Sequence, residues 1–190
     1  MKTLNTDFFE TFPILKTERL VLRDLRPTDA QQIYEMRSNG RVNQFIPRPT
    51  MPSLREAEAL IEKTLNAYNN CQVIAWAGIL RENQNIIGTC GYNTIDYQNL
   101  RAEIGGEMSV DYWGKHIAME AVNAIVGYGI EKINLHSIEA KISPENRGGI
   151  YLLEQLGFEK EAHFKDRIFY QNKFSDMAIY TLHASNYKGF

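Results

Sequence analysis

The tightest constraint on this chain lies between residues 102 and 126, where the backbone must pass from extended to helical within a few residues. Residues 102–110 read as a strand and Gly114 supplies a turn. From Ala118 the apolar side chains fall at 118, 121, 122, 125 and 126, the spacing of one helix face. The first N–H groups of a helix have no partner inside it, and the aligned peptide dipoles place partial positive charge at that end. A strand that turns through glycine into a helix therefore offers an anion site made of backbone. Gly114 permits a positive φ or a close approach, and Lys115 adds charge. On these residues alone the turn either holds a diphosphate or binds nothing, because a single glycine turn is weak evidence.

The remaining periodicities set the order of elements around that unit. Residues 17–23 alternate as a first strand. Thr28-Asp29-Ala30-Gln31, after Pro27, and Ser53-Leu54-Arg55-Glu56 both have capping-box spacing ahead of a helix. Behind the second runs a stripe of Ala57, Leu60, Ile61, Thr64, Leu65 and Tyr68, and the Pro- and Gly-rich residues 39–52 between the two helices form a loop. Residues 73–80, 86–95 and 102–110 are three strands whose short polar links permit antiparallel neighbours. Gly88 and Gly91, inside the second of them, indicate a bulge or a close backbone approach. After the central helix, residues 136–142 form a strand, Asn146 caps a helix that Gly157 ends, and residues 158–167 and 173–182 close the fold.

A chain of 190 residues suits one core, read here as a domain over residues 17–184 with an arm at 1–16 and a tail at 185–190. Phe8, Phe9 and Phe12 of the arm pack on the domain or on a partner. With 21 basic and 23 acidic residues and a formal charge of -2, nothing marks a nucleic-acid partner. Cys71 and Cys90 have no metal or redox spacing and read as reduced thiols, so no metal is expected. The N-terminus lacks a signal-peptide pattern, and the apolar run at 73–80 is too short to cross a bilayer. No membrane association and a cytoplasmic location are the resulting expectations.

The wording Tyr112-Trp113-Gly114-Lys115, with Ala118, Glu120 and Ala121, behind Ala102-Glu103-Ile104-Gly105-Gly106-Glu107-Met108, resembles the acyl-coenzyme-A loop of the GCN5-related N-acetyltransferase (GNAT) superfamily. The likeness is to the branch that includes ribosomal-protein N-terminal alanine acetyltransferases, and Thr17-Glu18-Arg19-Leu20 is similar to the phrase that opens its domains. The resemblance implies an α/β (α+β) fold: a mixed, largely antiparallel seven-stranded sheet flanked by four helices, with the fourth and fifth strands, 102–110 and 136–142, splayed apart. It implies acetyl-CoA as cosubstrate, with Gly114, Lys115, His116, Ile117 and Ala118 at its pyrophosphate and Met108 and Val110 pairing with its pantetheine arm. Asn146 matches a family Asn near the pantetheine; its own chemistry also makes it a plain N-cap, and the two roles are compatible. His116 stands where the family usually has Gly. Histidine is among the residues that tolerate positive φ, and its ring can donate to phosphate. The loop at 39–52 covers the acceptor side in the resembling family, so Phe45, Ile46 and Arg48 are either substrate contacts or parts of a packed surface loop.

The implied reaction moves an acetyl group from a thioester to a neutral amine. At pH 7 an α-amine with a pKa of about 7.7–8.0 is neutral far more often than a lysine amine of about 10.4, so an α-amine asks less of a base. Glu103, the preferred base, and Glu107 are either catalytic carboxylates or solvated strand residues. In a regular strand they share one face, roughly 13 Å apart at about 3.4 Å per residue, whereas a bulge at Gly105-Gly106 sends them to opposite faces. For a general acid the chain departs from the family, with Gly149, Leu153 and Lys141 at positions where members carry Ser, Tyr or a carboxylate. Tyr151 points away from that helix face. The thiolate leaves unaided, or Tyr92 or Tyr170 reaches in. The expected partner is an amine, either a small molecule or a protein N-terminus, and the enzyme is a monomer or homodimer. A non-catalytic acyl-CoA sensor or scaffold is the rival reading.

Overall fold

The apolar run that opens the second third of the chain forms β3 (Ile74–Leu80), and both of its faces are buried. Trp76 points into one core cluster and its neighbour Ala77 into the other, as the strand's period of two requires. Two layers of helix therefore cover the sheet. The computed structural model describes residues 3–189; the first two residues of the arm and the last of the tail lie outside the described residues.

Eight strands form one sheet in the order β1-β2-β3-β4-β5-β6-β8-β7. β1 (Leu15–Lys16) and β2 (Leu20–Asp24) make a hairpin, and β4 (Ile86–Asp96) and β5 (Arg101–Met108) follow β3 antiparallel. β6 (Ser137–Ile142) runs parallel to β5, and β7 (Glu159–Tyr170) with β8 (Lys173–His183) completes the far side. The count is eight rather than the expected seven because Leu15 and Lys16 fold back onto Leu22 and Val21. One helical layer is α1 (Ala30–Ser38) and α2 (Leu54–Asn69), with Ile33, Met36, Ala57 and Ile61 over Ala77, Ile79 and Ile86. The other is α3 (Ile117–Glu131) and α4 (Arg147–Gln155), with Ile125, Val126 and Leu153 in the cluster that holds Leu22, Trp76 and Ile138. The four helices are those expected from the periodicities. Among the described residues no helix is long and apolar enough to cross a membrane.

The arm packs on the domain. Phe8 is buried, the Trp76 indole donates to the Pro13 carbonyl at 2.7 Å, and the Asn5 N–H donates to Ile133 at 2.9 Å. Thr28 does not cap α1. Pro27–Asp29 forms a 3₁₀ turn instead, and the buried Asp29 carboxylate accepts from the Arg26 N–H and from Nη1 and Nη2 of Arg23.

Two irregularities shape the middle of the sheet, and both lie in β4. The register skips Ile87 against β3 and Asn93 against β5, so β4 carries the extra residues while β5 stays regular. Gly91 shows the close approach expected of it, since a Cβ there would stand 2.1 Å from the Ile74 carbonyl oxygen. β5 also ends sooner than the sequence suggests. Its last residue is Met108, and Val110 opens a 3₁₀ turn, Val110–Tyr112, where it contributes no rung to the ladder.

Candidate functional site

β5 and β6 pair only through Arg101↔Ser137, Ala102↔Ile138 and Glu103↔Glu139. Beyond that rung they part, while β5 stays bonded to β4 as far as Met108. The Ser109 N–H donates to the Ile87 carbonyl on the β4 side, so by antiparallel alternation Ile104, Gly106 and Met108 direct their backbone groups to the opposite, open edge. Unpaired backbone groups at a strand edge are strong sites for a ligand that carries amides. The Met108 carbonyl is partly occupied, because the Trp113 indole donates to it at 3.0 Å.

The open edge leads into the start of α3. Gly114 has φ 73°, and the N-cap of α3 is His116, which sits in the left-handed region with φ 58° and ψ 13°. No side chain caps this helix, and the N–H groups of Gly114, Lys115, His116, Ile117 and Ala118 have no acceptor among the described residues. Ile117 is buried under the loop, whereas Gly114, Lys115 and His116 are exposed, with the Lys115 ammonium 5.3 Å from the Tyr112 ring centroid. The five residues singled out for a pyrophosphate thus form one cradle of free amides.

The carbonyl side of that cradle is held by a residue given no role in the sequence reading. Arg19, in the β1–β2 turn, donates from Nη1 to the Lys115 carbonyl at 3.0 Å and from Nη2 to the His116 carbonyl at 3.3 Å. Its Nε and backbone N–H each lie 2.7 Å from an oxygen of Glu120, which also accepts from the Thr17 hydroxyl. Burial works to raise the Glu120 carboxyl, but these hydrogen bonds and the Arg19 charge outweigh it and hold the group below the usual carboxylate range. Thr17-Glu18-Arg19-Leu20 carried the signal, which becomes readable only when the turn is seen beside α3.

Because β5 is regular, Glu103 and Glu107 share one face, the face covered by α1 and the loop that follows it. Their surroundings differ. Glu103 stands at the last rung of the β5–β6 pair with its carboxylate 2.6 Å from the Lys141 ammonium, and Glu139 approaches the same ammonium at 3.8 Å. The Glu103 hydrogen bond is the main cause holding the Lys141 pKa above its ordinary value. Glu107, its side chain only 3% exposed, lies between the guanidinium groups of Arg37 and Arg48 and accepts from the Thr89 hydroxyl at 3.3 Å. Between the two carboxylates the Asn93 side chain lies over Gly105, where an added Cβ would stand 2.3 Å from its amide nitrogen. The Asn93 side chain has no hydrogen-bond partner among the described residues. Gly88 and Gly91 marked β4 for a bulge or a close approach, but not its position at Asn93, which stays exposed.

Asn146 caps α4, its Oδ1 accepting from the Gly149 N–H at 2.9 Å, and its Nδ2 has no acceptor among the described residues. Tyr92 does not reach the site. It is 1% exposed, and its hydroxyl donates to the Ile125 carbonyl at 2.7 Å beneath α3. Tyr151 is exposed on α4. Cys71 and Cys90 are free thiols, and burial pushes Cys90 up to about 12.

Residues 19–159 match the family described as the acetyltransferase (GNAT) domain. The chain is 34% identical to an uncharacterized N-acetyltransferase, p20, of Bacillus licheniformis, covering 92% of this chain and 98% of that protein. It is 24% identical to the ribosomal protein uS5 alanine N-acetyltransferase of Escherichia coli, covering 88% of this chain and 89% of that one. The fold is similar to the crystal structure of a GNAT-family acetyltransferase from Bacillus anthracis, with a TM-score of 0.82 and 25% identity over 91% of this chain and 99% of that chain.

Proposed function

Since the chain belongs to the GNAT acetyltransferase family, we propose that it transfers an acetyl group from acetyl-CoA to an α-amine, either a protein N-terminus or a small amine. The observation that carries this reading is the fork after Glu103 and Glu139, whose open backbone edge runs directly into an uncapped helix start. Acetyl-CoA supplies the thioester. Gly114, Lys115, His116, Ile117 and Ala118 would hold its diphosphate through free amides and the Lys115 charge. The open edge at Gly106 and Met108 would pair with its amide-bearing arm, and Val110, lying off the strand, would touch the arm by packing alone.

Glu103 is the proposed base, standing at the mouth of the fork with its ion pair to Lys141. It takes the proton that the attacking amine releases as the new bond to the acetyl carbon forms, directly or through one water. Glu107, held by two guanidinium groups, suits binding better than proton transfer. With Tyr92 locked to Ile125, the thiolate leaves unaided by that residue.

The test is thiol release from acetyl-CoA with a panel of amino acids, polyamines and N-terminal peptides, for the wild type and for Glu103→Gln. The proposal expects release with an α-amine acceptor, and a large fall in kcat for the variant with CoA affinity within twofold. Unchanged turnover in Glu103→Gln removes it from the mechanism. CoA binding without release across the panel favours the sensor reading, which rests on the missing acid at Gly149 and Leu153.

A further inference from the structure

The segment between α1 and α2 has an unusual charge balance. From Met36 to Arg55 it contains Arg37, Arg41, Arg48 and Arg55 and no acidic residue. Two of these arginines turn inward. Arg37, in the last turn of α1, and Arg48, in the loop, converge on Glu107, with side chains only 20% and 25% exposed. Arg48 is aimed by a buried amide: its Nε donates to Asn43 Oδ1 at 2.8 Å, while Asn43 Nδ2 donates to the Arg37 carbonyl at 2.9 Å. Asn43 is itself 8% exposed, so the arrangement is built rather than incidental.

Two cations here share one anion. Among the described residues Glu107 is the only carboxylate within ion-pair distance of either guanidinium. Both amino groups of Arg37 and one of Arg48 have no acceptor among the described residues. Burial lowers the Arg37 pKa, and the Arg48 charge adds to that effect against the opposing pull of Glu107. A half-buried guanidinium without a full counter-charge is costly, and planar forks of this kind match carboxylate and phosphate oxygens.

We propose that Arg37 and Arg48 bind an oxyanion carried by the acceptor, so that the preferred substrate is an amine with a carboxylate or phosphate group a few residues' length away. The spacing sets that length. Glu107 lies on the same strand face as Glu103, about 13 Å along β5, which at about 3.3–3.6 Å per residue is at most three to four residues of extended peptide. An amine at Glu103 and an acidic side chain near the third residue of a peptide span that gap. The acceptor part of this inference rests on the acetyltransferase reading; the anion part rests on the arginine geometry alone.

The experiment compares tetrapeptides of sequence Ala-Gly-Xaa-Gly, with Glu, Gln or Lys at Xaa, in the thiol-release assay. The Glu peptide is expected to exceed the Gln peptide in kcat/KM by about tenfold, the low end for a charge-assisted pair that is partly exposed, with Lys lower still. Arg48→Gln should erase the difference while leaving the KM for acetyl-CoA within twofold, and Arg48→Lys should restore part of it. Arg37 still neutralises Glu107 in these variants, and a thermal melt checks that they fold. Equal rates for the three peptides overturn the proposal, as does a rise in the acetyl-CoA KM without loss of peptide preference, which would assign the anion to the cosubstrate. If no peptide is acetylated, titration with inorganic phosphate, read from the Arg48 Nε–H NMR signal, decides the anion site independently. A saturable shift supports it, and no shift refutes it.

Discussion

Replacing Arg19 with alanine tests how the proposed diphosphate cradle is held open. The substitution removes the Nε bond to Glu120 and the two bonds to the Lys115 and His116 carbonyls, and it keeps the backbone N–H bond to Glu120. Ordinary hydrogen bonds contribute about 0.5–1.5 kcal/mol each and charge-assisted ones about 1.5–3. The Arg19 side chain is 40% exposed, so solvent screening puts all three at or below the low ends. The loop should therefore lose about 1–2 kcal/mol of order, which corresponds to about 5- to 30-fold in CoA affinity. Calorimetric titration with CoA reads that loss. S-acetylpantetheine, which lacks the diphosphate, should be used as donor with unchanged kcat/KM, a result that general misfolding would not give. Global stability should fall by no more than this, about 2–4 °C in Tm per kcal/mol for a chain of this size. Hydrogen exchange at residues 121–124, the bonded amides of the first turns of α3, should accelerate even without ligand. CoA affinity within twofold of wild type, together with unaltered exchange, would refute the reasoning.

Three further outcomes follow from the same contacts. Tyr92→Phe removes a buried hydroxyl bonded to the Ile125 carbonyl, so urea unfolding should show a loss of about 1 kcal/mol while kcat is unchanged; a large fall in kcat would return Tyr92 to the chemistry. His116→Gly relieves a left-handed residue at φ 58° and should raise stability by up to about 1 kcal/mol with CoA affinity within twofold; a tenfold weaker affinity would instead make the imidazole a phosphate donor. Glu120 is held below its ordinary value of 4.5, so its contribution to stability is fully present above that pH and disappears as pH falls through the folded-state value. The stability gap between wild type and Glu120→Gln, measured in urea from pH 6 to 3, should accordingly narrow on acidification, and a constant gap would refute the assignment.

What the sequence could reveal was whatever depends on local periodicity. The run at 73–80, the stripe behind Ser53 and the strand–Gly114–helix unit each bury a face that the sequence marks, and they appear as β3, α2 and the start of α3. The five loop residues come together because they are consecutive. The rest of the site is long-range. Arg19 meets Glu120 across 101 positions and Arg48 meets Glu107 across 59, and no spacing rule encodes such pairs. The bulge illustrates the same limit. Glycines at 105 and 106 left open whether β5 was regular, and Gly88 and Gly91 marked β4 for a bulge or a close approach; the extra residue beside β5 sits at Asn93 of β4, whose side chain lies over Gly105. The sequence offered two faces or one for Glu103 and Glu107; only the pairing partner decides between them.

That shared face has a polarity which orders the two halves of the candidate site. At the fork, Glu103 and Glu139 stand side by side on adjacent parallel strands, and Lys141 serves both, so two anions share one cation. The Arg167 charge opposes the raised Lys141 pKa as the smallest of the contributions acting on it. About 13 Å along β5, the balance is reversed where two arginines share Glu107. On the proposed reading an approaching α-ammonium would be drawn to the fork and an anionic group on the same molecule the other way, so the two ends would orient such an acceptor before any close contact forms. A polyamine would find one end attractive and the other repulsive. Placing the proposed base within the negative end also makes physical sense: the charges that would collect a protonated amine lie beside the carboxylate proposed to accept its proton, and the ion pair with Lys141 anchors that carboxylate at the last rung before the sheet divides.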